Sequence, residues 1–283
     1  MGPISQSERR NLGLFVLIAF AWSWLSLLPR ILATAGWFAL PSWLSMFLSI
    51  IAAFGPFVAA FTLTYRDEGP EGARSLWRRG WKYRFQKKWL VPTLLLPPVV
   101  ALVALLLVKL AGQRIDWDAG QPVVTILPLF ILIFLTNAVP EEFGWRGYLL
   151  DRLQLRWNAL VSSLIVGVIW GLWQLPLHFV ARTIQQAIPM WEIMVQATVL
   201  AIAYTWLFNN TKGSILVAML FHAVNSLTGE MIPYWTTEIG RLIHLAILLV
   251  VVGAIVLIWG PKTLIRKKKP ASIVTGISPP DGV

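Results

Sequence analysis

Apolar runs about as long as a membrane is thick recur along the whole chain, separated by short segments rich in Arg, Lys, Gly and Pro. A hydrocarbon core roughly 30 Å deep takes about 20 apolar residues per helical crossing. Runs of that kind fall at 12–33, 42–64, 89–111, 122–149, 158–180, 190–208, 214–232 and 238–260. None shows the sustained alternation of a barrel strand. The expectation is therefore an all-α integral membrane protein with about eight transmembrane helices. The first run contains Trp22 and Trp24 and lacks a small-residue cleavage site, so it reads as a membrane helix rather than a signal peptide. Pro97, Pro98, Pro128, Pro140 and Pro176 interrupt runs and predict kinks, and the fourth run is long enough to tilt or break.

Composition agrees with this pattern: 57% of the 283 residues are hydrophobic and only 13% are charged, too little polar surface for a soluble domain. The formal charge of +11 is unevenly placed. Arg66, Arg74, Arg78, Arg79, Lys82, Arg84, Lys87 and Lys88 follow the second run; Arg152 and Arg156 follow the fourth, Lys212 the sixth and Arg266 to Lys269 the eighth. With Arg9 and Arg10, all fall on one side of an eight-span path. The opposite loops carry Arg114 and Arg182, with Arg30, Lys109 and Arg241 near helix ends. The positive-inside rule then puts both termini in the cytoplasm, in a cytoplasmic membrane. Anionic lipid headgroups, not nucleic acid, suit the basic loops. A membrane domain over 1–262 precedes a basic tail at 263–283, rich in Pro, Ser and Gly, that is expected to be disordered. The loop 65–88, broken by Gly69, Pro70 and Gly72, is the largest polar insert. No internal repeat suggests a transporter's inverted halves. The absence of Cys removes disulfides, thiolate nucleophiles and thiolate metal ligands.

Ionisable groups inside a span cost about 2.5–3.5 kcal/mol each, so adjacent glutamates call for a reason. Glu141 and Glu142 lie in the fourth run. In a helix they point about 100° apart. Glu142 shares a face with Arg146 and can pair with it, which leaves Glu141 without an obvious local partner. A desolvated carboxylate of that kind can act as a general base; equally, the three groups can form a structural ion network. In the seventh run His222, Asn225 and Ser226 share a face, suited to an oxyanion or a water, or to a hydrogen bond between helices. Gln174 and His178 share a face of the fifth run. His244, with only Arg241 near it, reads as structural.

These residues together resemble the CAAX protease and bacteriocin-processing family, intramembrane proteases related to the type II CAAX prenyl endopeptidase. Glu141-Glu142-Phe143-Gly144-Trp145-Arg146 fits that family's Glu-Glu-x-x-x-Arg motif, followed by Gly147-Tyr148-Leu149-Leu150. Trp173-Gln174-Leu175-Pro176 is similar to its second motif region, and Gly213-Ser214-Ile215-Leu216 to the approach to its third. The resemblance covers about 125–230. It implies endoproteolysis of lipid-modified or membrane-embedded peptides, with Glu141 activating water, helped by a second-motif histidine. Glu142 and Arg146 would hold the site together, and His222 and Asn225 would stabilise the oxyanion. The family's second motif is aromatic-x-x-x-His, whereas here Trp170 is followed by Gln174, an amide that orients water but takes no proton. His178, one turn on, could substitute if the helix bends at Pro176. The third motif commonly spaces His and Asn by four; here the spacing is three, with Ser226 at the fourth position.

Three function classes follow. The first is an endopeptidase with Glu141 as base, which needs Glu141, His222 and Asn225 converging on a cavity open to cytoplasm or lipid. The second is a catalytically weakened relative that binds peptides or partner proteins as an immunity or scaffold protein. The third is a transporter with a path past the glutamates. No cofactor is certain: a divalent metal such as zinc stays open, but no His pair at i,i+4 supports it.

Overall fold

The computed structural model describes residues 6–181 and 183–266. Arg182, the basic residues from Lys267 and most of the expected tail lie outside the described residues. The described residues are 82% helical, and no strand occurs among them. Its helices are α1 (Gln6–Thr34), α2 (Ser42–Ala53), α3 (Gly55–Gly80), α4 (Leu90–Leu110), α5 (Ile126–Ile133), α6 (Val139–Gly144), α7 (Asp151–Gln154), α8 (Ala159–Trp173), α9 (Ile184–Ala187), α10 (Met190–Asn210), α11 (Ile215–Met231) and α12 (Glu238–Trp259). Among the described residues six helices are long and apolar enough to cross a membrane, and seven if the α2–α3 pair counts as one bent span. The apolar helix α11 is shorter, at 17 residues. Leu102 and Leu106 on α4 and Val250 and Leu257 on α12 face outward, as lipid-facing side chains do.

Two departures from the sequence reading have local causes. The second run is bent by 40° where α2 gives way to α3. Beyond it, residues 65–80 are helical rather than a loop. Gly69 takes φ 67°, a left-handed conformation that kinks the chain, and Pro70 then opens a fresh helical segment, where its missing N–H costs nothing. This polar segment is held by ion pairs, Arg79 to Asp151 and Arg152 to Glu68. The fourth run breaks, as its length predicted. Pro140 has no N–H to offer the carbonyl one turn back, and its ring crowds that carbonyl. The chain widens there into a π-helical turn at Phe134–Ala138, and a second π turn, Trp145–Leu150, follows α6. Pi-helical turns often mark functional sites.

Helix α6 is the buried centre of the bundle: Pro140 to Gly144 are all buried. Gly144 lies against the backbone of Pro56 so closely that a Cβ would collide with it. Phe143 stacks on Trp77 with ring centroids 5.4 Å apart and meets Phe57 and Phe61 edge-on. This aromatic cluster locks α3 against α6.

The basic segments gather at one end of the bundle. Asn11 bonds Asp67 and Arg66, and Ser214 donates to the Lys82 carbonyl. Ala159 N–H donates to the Lys262 carbonyl. Thr263 and Leu264, at the start of the expected tail, accept from Asn209 and Asn210. The opposite end is formed by Thr34, the chain around Gln121, residues 183–188 and the turn Tyr234–Thr236, joined by bonds such as Gln121 N–H to the Glu230 carbonyl.

Candidate functional site

Helices α6, α8, α10 and α11 bring the polar residues of three separate runs together. The spacing of four places Arg146 one turn from Glu142, and the pair closes at 2.9 Å with both side chains fully buried. Glu142 Oε1 also meets His222 Nδ1 at 2.8 Å. One carboxylate oxygen thus joins the guanidinium and the imidazole, and the remaining ring nitrogen, Nε2, faces the other glutamate. It lies 3.9 Å from Glu141 Oε1.

Glu141 is 4% exposed. Its Oε2 accepts from the indole N–H of Trp170 at 2.9 Å and of Trp145 at 3.3 Å. Two donors on one oxygen orient the carboxylate and leave Oε1 turned toward His222. Glu141 therefore has a local partner the sequence reading did not foresee: Trp145 stands four residues on, a spacing that could have disclosed it. Trp170 comes from another helix and was legible only as the aromatic of the second motif.

Arg146 stacks on Tyr204, with its guanidinium carbon 3.8 Å from the ring centroid, and lies 5.5 Å from the Trp170 ring. Its Nε and Nη2 have no hydrogen-bond partner among the described residues; the aromatic faces supply the electrostatic compensation instead. The cluster is sealed on the side toward the basic end of the bundle, where Phe143, Trp145, Tyr148 and Tyr204 are all buried.

On the other side it opens. A cavity of about 540 Å³ is lined by Glu141, Trp170, Gln174, His222, Asn225 and Ser226, and it continues past Glu192, Tyr234, Arg241 and His244. That volume is within the range of ligand sites, about 300–1,000 Å³. The cavity runs from the glutamate away from the basic end. A smaller pocket between α2 and α5, lined by Met46, Ser49, Thr136 and Asn137 among others, shares Ser49, Ile133 and Asn137 with it. Met46 and Asn137 are exposed, so this pocket opens on the outside of the helix bundle.

The sequence-derived candidates divide accordingly. Glu141, Gln174, His222 and Asn225 share the cavity, and Glu142 and Arg146 stand behind it. His178 is placed elsewhere. After α8 the chain tightens into a 3-10 turn, Leu175–Phe179, which carries His178 out of line with Gln174. Its Nδ1 lies 2.9 Å from the Gln185 carbonyl oxygen, and it is absent from the cavity wall. The chain does turn at Pro176, but His178 contacts the Gln185 carbonyl and does not join Gln174 in the cavity wall. His244, read as structural, lines the cavity and stacks on Tyr234 at 4.1 Å between centroids. Glu192 and Arg241, joined at 2.8 Å, also line it and had no signal in sequence, since each depends on helices meeting. Among the described residues no group of three or more His, Asp and Glu side chains is arranged as a metal site.

Comparison with known proteins covers this same stretch of chain. Residues 123–228 match the family described as type II CAAX prenyl endopeptidase Rce1-like. A similar curated protein, CAAX prenyl protease 2 of Methanococcus maripaludis, is 27% identical over 222 residues, which span 75% of this chain and 81% of that protein.

Proposed function

We propose that the chain is an intramembrane endopeptidase of the Rce1-like type II CAAX prenyl endopeptidase kind, in which Glu141 activates water; the family match over residues 123–228 and the 27% identical relative support this reading. The observation that carries the reading is the pairing of Glu141 Oε1 with His222 Nε2 across 3.9 Å at the wall of the cavity. Glu141 Oε1 takes a proton from a water held beside Gln174, and the water oxygen attacks the peptide carbonyl carbon. The oxyanion receives hydrogen bonds from the Asn225 amide and from His222 Nε2–H. The C–N bond then breaks as Glu141 returns the proton to the leaving amine, as a single carboxylate does in other hydrolases.

Glu142 and Arg146 act as positioning residues. Glu142 accepts from His222 Nδ1–H and fixes the ring, the role of an orienting carboxylate behind a catalytic imidazole. Two carboxylates and one guanidinium leave one negative charge, which a doubly protonated His222 cancels. Substrates are membrane-anchored peptides that enter between α2 and α5, the lipid chain remaining in the bilayer. The basic end faces the cytoplasm and anionic headgroups, so the cavity extends toward the outer half of the bilayer.

Gln174 supports a second reading, a catalytically weakened member that binds peptides, because an amide stands in the cavity where the family's pattern has a proton-accepting imidazole. Cleavage of a panel of prenylated and unmodified anchored peptides in liposomes separates the two, with wild type, Glu141→Gln and Gln174→His compared. Cleavage by wild type that is lost in Glu141→Gln supports the endopeptidase. A silent wild type with an active Gln174→His variant supports the weakened relative.

A further inference from the structure

The end of the cavity remote from Glu141 contains a carboxylate and an imidazole that the proposed chemistry does not use. Glu230, the last but one residue of α11, and His244 on α12 both line it. Their surroundings are tied down. Gln121 N–H donates to the Glu230 carbonyl at 2.9 Å, the Trp235 indole to the Gly229 carbonyl at 2.9 Å, and Arg241 Nη1 to the Trp235 carbonyl at 3.3 Å. The Glu230 carboxylate, by contrast, has no ion pair or hydrogen bond among the described residues. Both arginines of the wall are engaged elsewhere, Arg241 with Glu192 at 2.8 Å and Arg30 with the Ser49 hydroxyl. A carboxylate at the C-terminal end of a helix stands where the carbonyl dipoles already concentrate negative charge. Among apolar helices it is costly unless a cation meets it. Glu192, in the first turn of α10, has both the favourable dipole and an arginine. Glu230 has neither.

His244 supplies an independent observation. It is 6% exposed, and no hydrogen bond reaches either ring nitrogen among the described residues. One face of the ring is stacked on Tyr234, with centroids 4.1 Å apart, while the nitrogens keep access to the cavity. The Tyr234 hydroxyl, which meets Gln196, has lone pairs to accept with. Carboxylate, imidazole nitrogen and hydroxyl are all acceptors, and the complementary ligand is a primary ammonium group. It brings a positive charge and three N–H donors and has no acceptor of its own. A quaternary ammonium carries the charge but has no N–H. A metal ion fits less well, since no group of three or more His, Asp and Glu side chains among the described residues is arranged to hold one.

We propose that this end of the cavity is a binding site for a primary ammonium group, with Glu230 as its counter-ion and His244 and Tyr234 as acceptors. The source that the structure favours is the headgroup of an amine-bearing phospholipid. The lateral pocket lined by Met46, Ile50 and Leu132 shares Ser49, Ile133 and Asn137 with the cavity, so acyl chains can stay outside the bundle while the headgroup reaches in. The inference goes beyond the endopeptidase reading and holds whether or not the protein cleaves peptides. An occupied site also leaves less room for whatever enters by the same route.

The test is native mass spectrometry of the full-length protein in detergent, with dioleoyl phosphatidylethanolamine and dioleoyl phosphatidylcholine offered at equal concentration. The two lipids share chains and phosphate and differ in a primary ammonium against a trimethylated nitrogen. Wild type retains the ethanolamine lipid about 10-fold better, the worth of a hydrogen bond between charged groups. Glu230→Gln and His244→Phe, the second keeping a ring to stack on Tyr234, each bring the ratio close to unity, and melting curves show that both variants fold. Free ethanolamine separates the two sources of the amine. Displacement of the bound lipid sustains the site with the amine alone as ligand, and retention of the lipid sustains it with the whole headgroup. Equal retention of the two lipids by wild type overturns the proposal. So does an ethanolamine preference that survives both substitutions, which places the headgroup elsewhere on the protein. Stabilisation against heat by a soluble lysine-bearing peptide, with no lipid preference, assigns the site to a peptide side chain and overturns the headgroup assignment.

Discussion

His222 and Glu142 meet at 2.8 Å through Nδ1 and Oε1, and the same oxygen receives Arg146 at 2.9 Å. This shared atom makes Glu142 the junction between a buried charge and the imidazole of the cavity. On the proposed mechanism, removing it disturbs two things at once, stability through Arg146 and chemistry through His222.

Glu142→Leu leaves the fully buried Arg146 guanidinium without its carboxylate, which costs about 3–5 kcal/mol. Arg146→Leu strands Glu142 and costs a similar amount. The double variant is expected to be more stable than the sum of the two losses predicts, because neither charge remains. Reversible denaturant titrations of the four proteins in one detergent measure the coupling; strict additivity would mean that the pair contributes nothing.

Trp170→Phe keeps the ring beneath Arg146 but removes the shorter of the two N–H donors on Glu141 Oε2. A hydrogen bond to a charged acceptor is worth about 1.5–3 kcal/mol. The expected result is a fall in kcat of roughly 10- to 100-fold with KM little changed. Trp145→Phe, whose donor lies at 3.3 Å rather than 2.9 Å, should lower kcat less. The reverse order would contradict the assignment of these indoles as orienting donors.

His178→Ala removes a side chain that does not line the cavity and whose Nδ1 meets the Gln185 carbonyl oxygen. The expected loss is about 1 kcal/mol of stability, with kcat on an anchored peptide unchanged within experimental scatter. A general base lost from the site would instead lower kcat by about 100-fold or more, which would return His178 to the chemistry.

Gly144→Val pushes a branched side chain into the backbone of Pro56, where even a Cβ has no room. Overpacking of this kind costs about 1–3 kcal/mol. Because Gly144 sits two residues from Glu142, activity should fall along with the melting temperature. A variant that melts normally would show that α3 and α6 separate more easily than their packing suggests.

The membrane class of this protein and the partnership of Glu142 with Arg146 were decided within the sequence. Run length alone measures the bilayer, and a spacing of four on any helix brings two side chains together. Glu141 stood out as a candidate because a carboxylate in an apolar run is costly. The breaks at Pro140 and Pro176 were visible too, since proline removes a donor wherever it stands. Where those breaks led was not visible. The π turn at Phe134–Ala138 kept Glu141 in the buried centre, whereas the 3-10 turn at Leu175–Phe179 carried His178 off to Gln185. The bond between Glu142 and His222 joins residues 80 positions apart, and that between Glu141 and Trp170 joins residues 29 apart. Helical periodicity says which side chains share a face, but it carries no information on which faces meet. The packing of α6 among α3, α8, α10 and α11 settled that, through contacts such as Gly144 on Pro56 and Phe143 on Trp77. The same packing set the direction of the cavity and brought Glu230 and His244 to its wall.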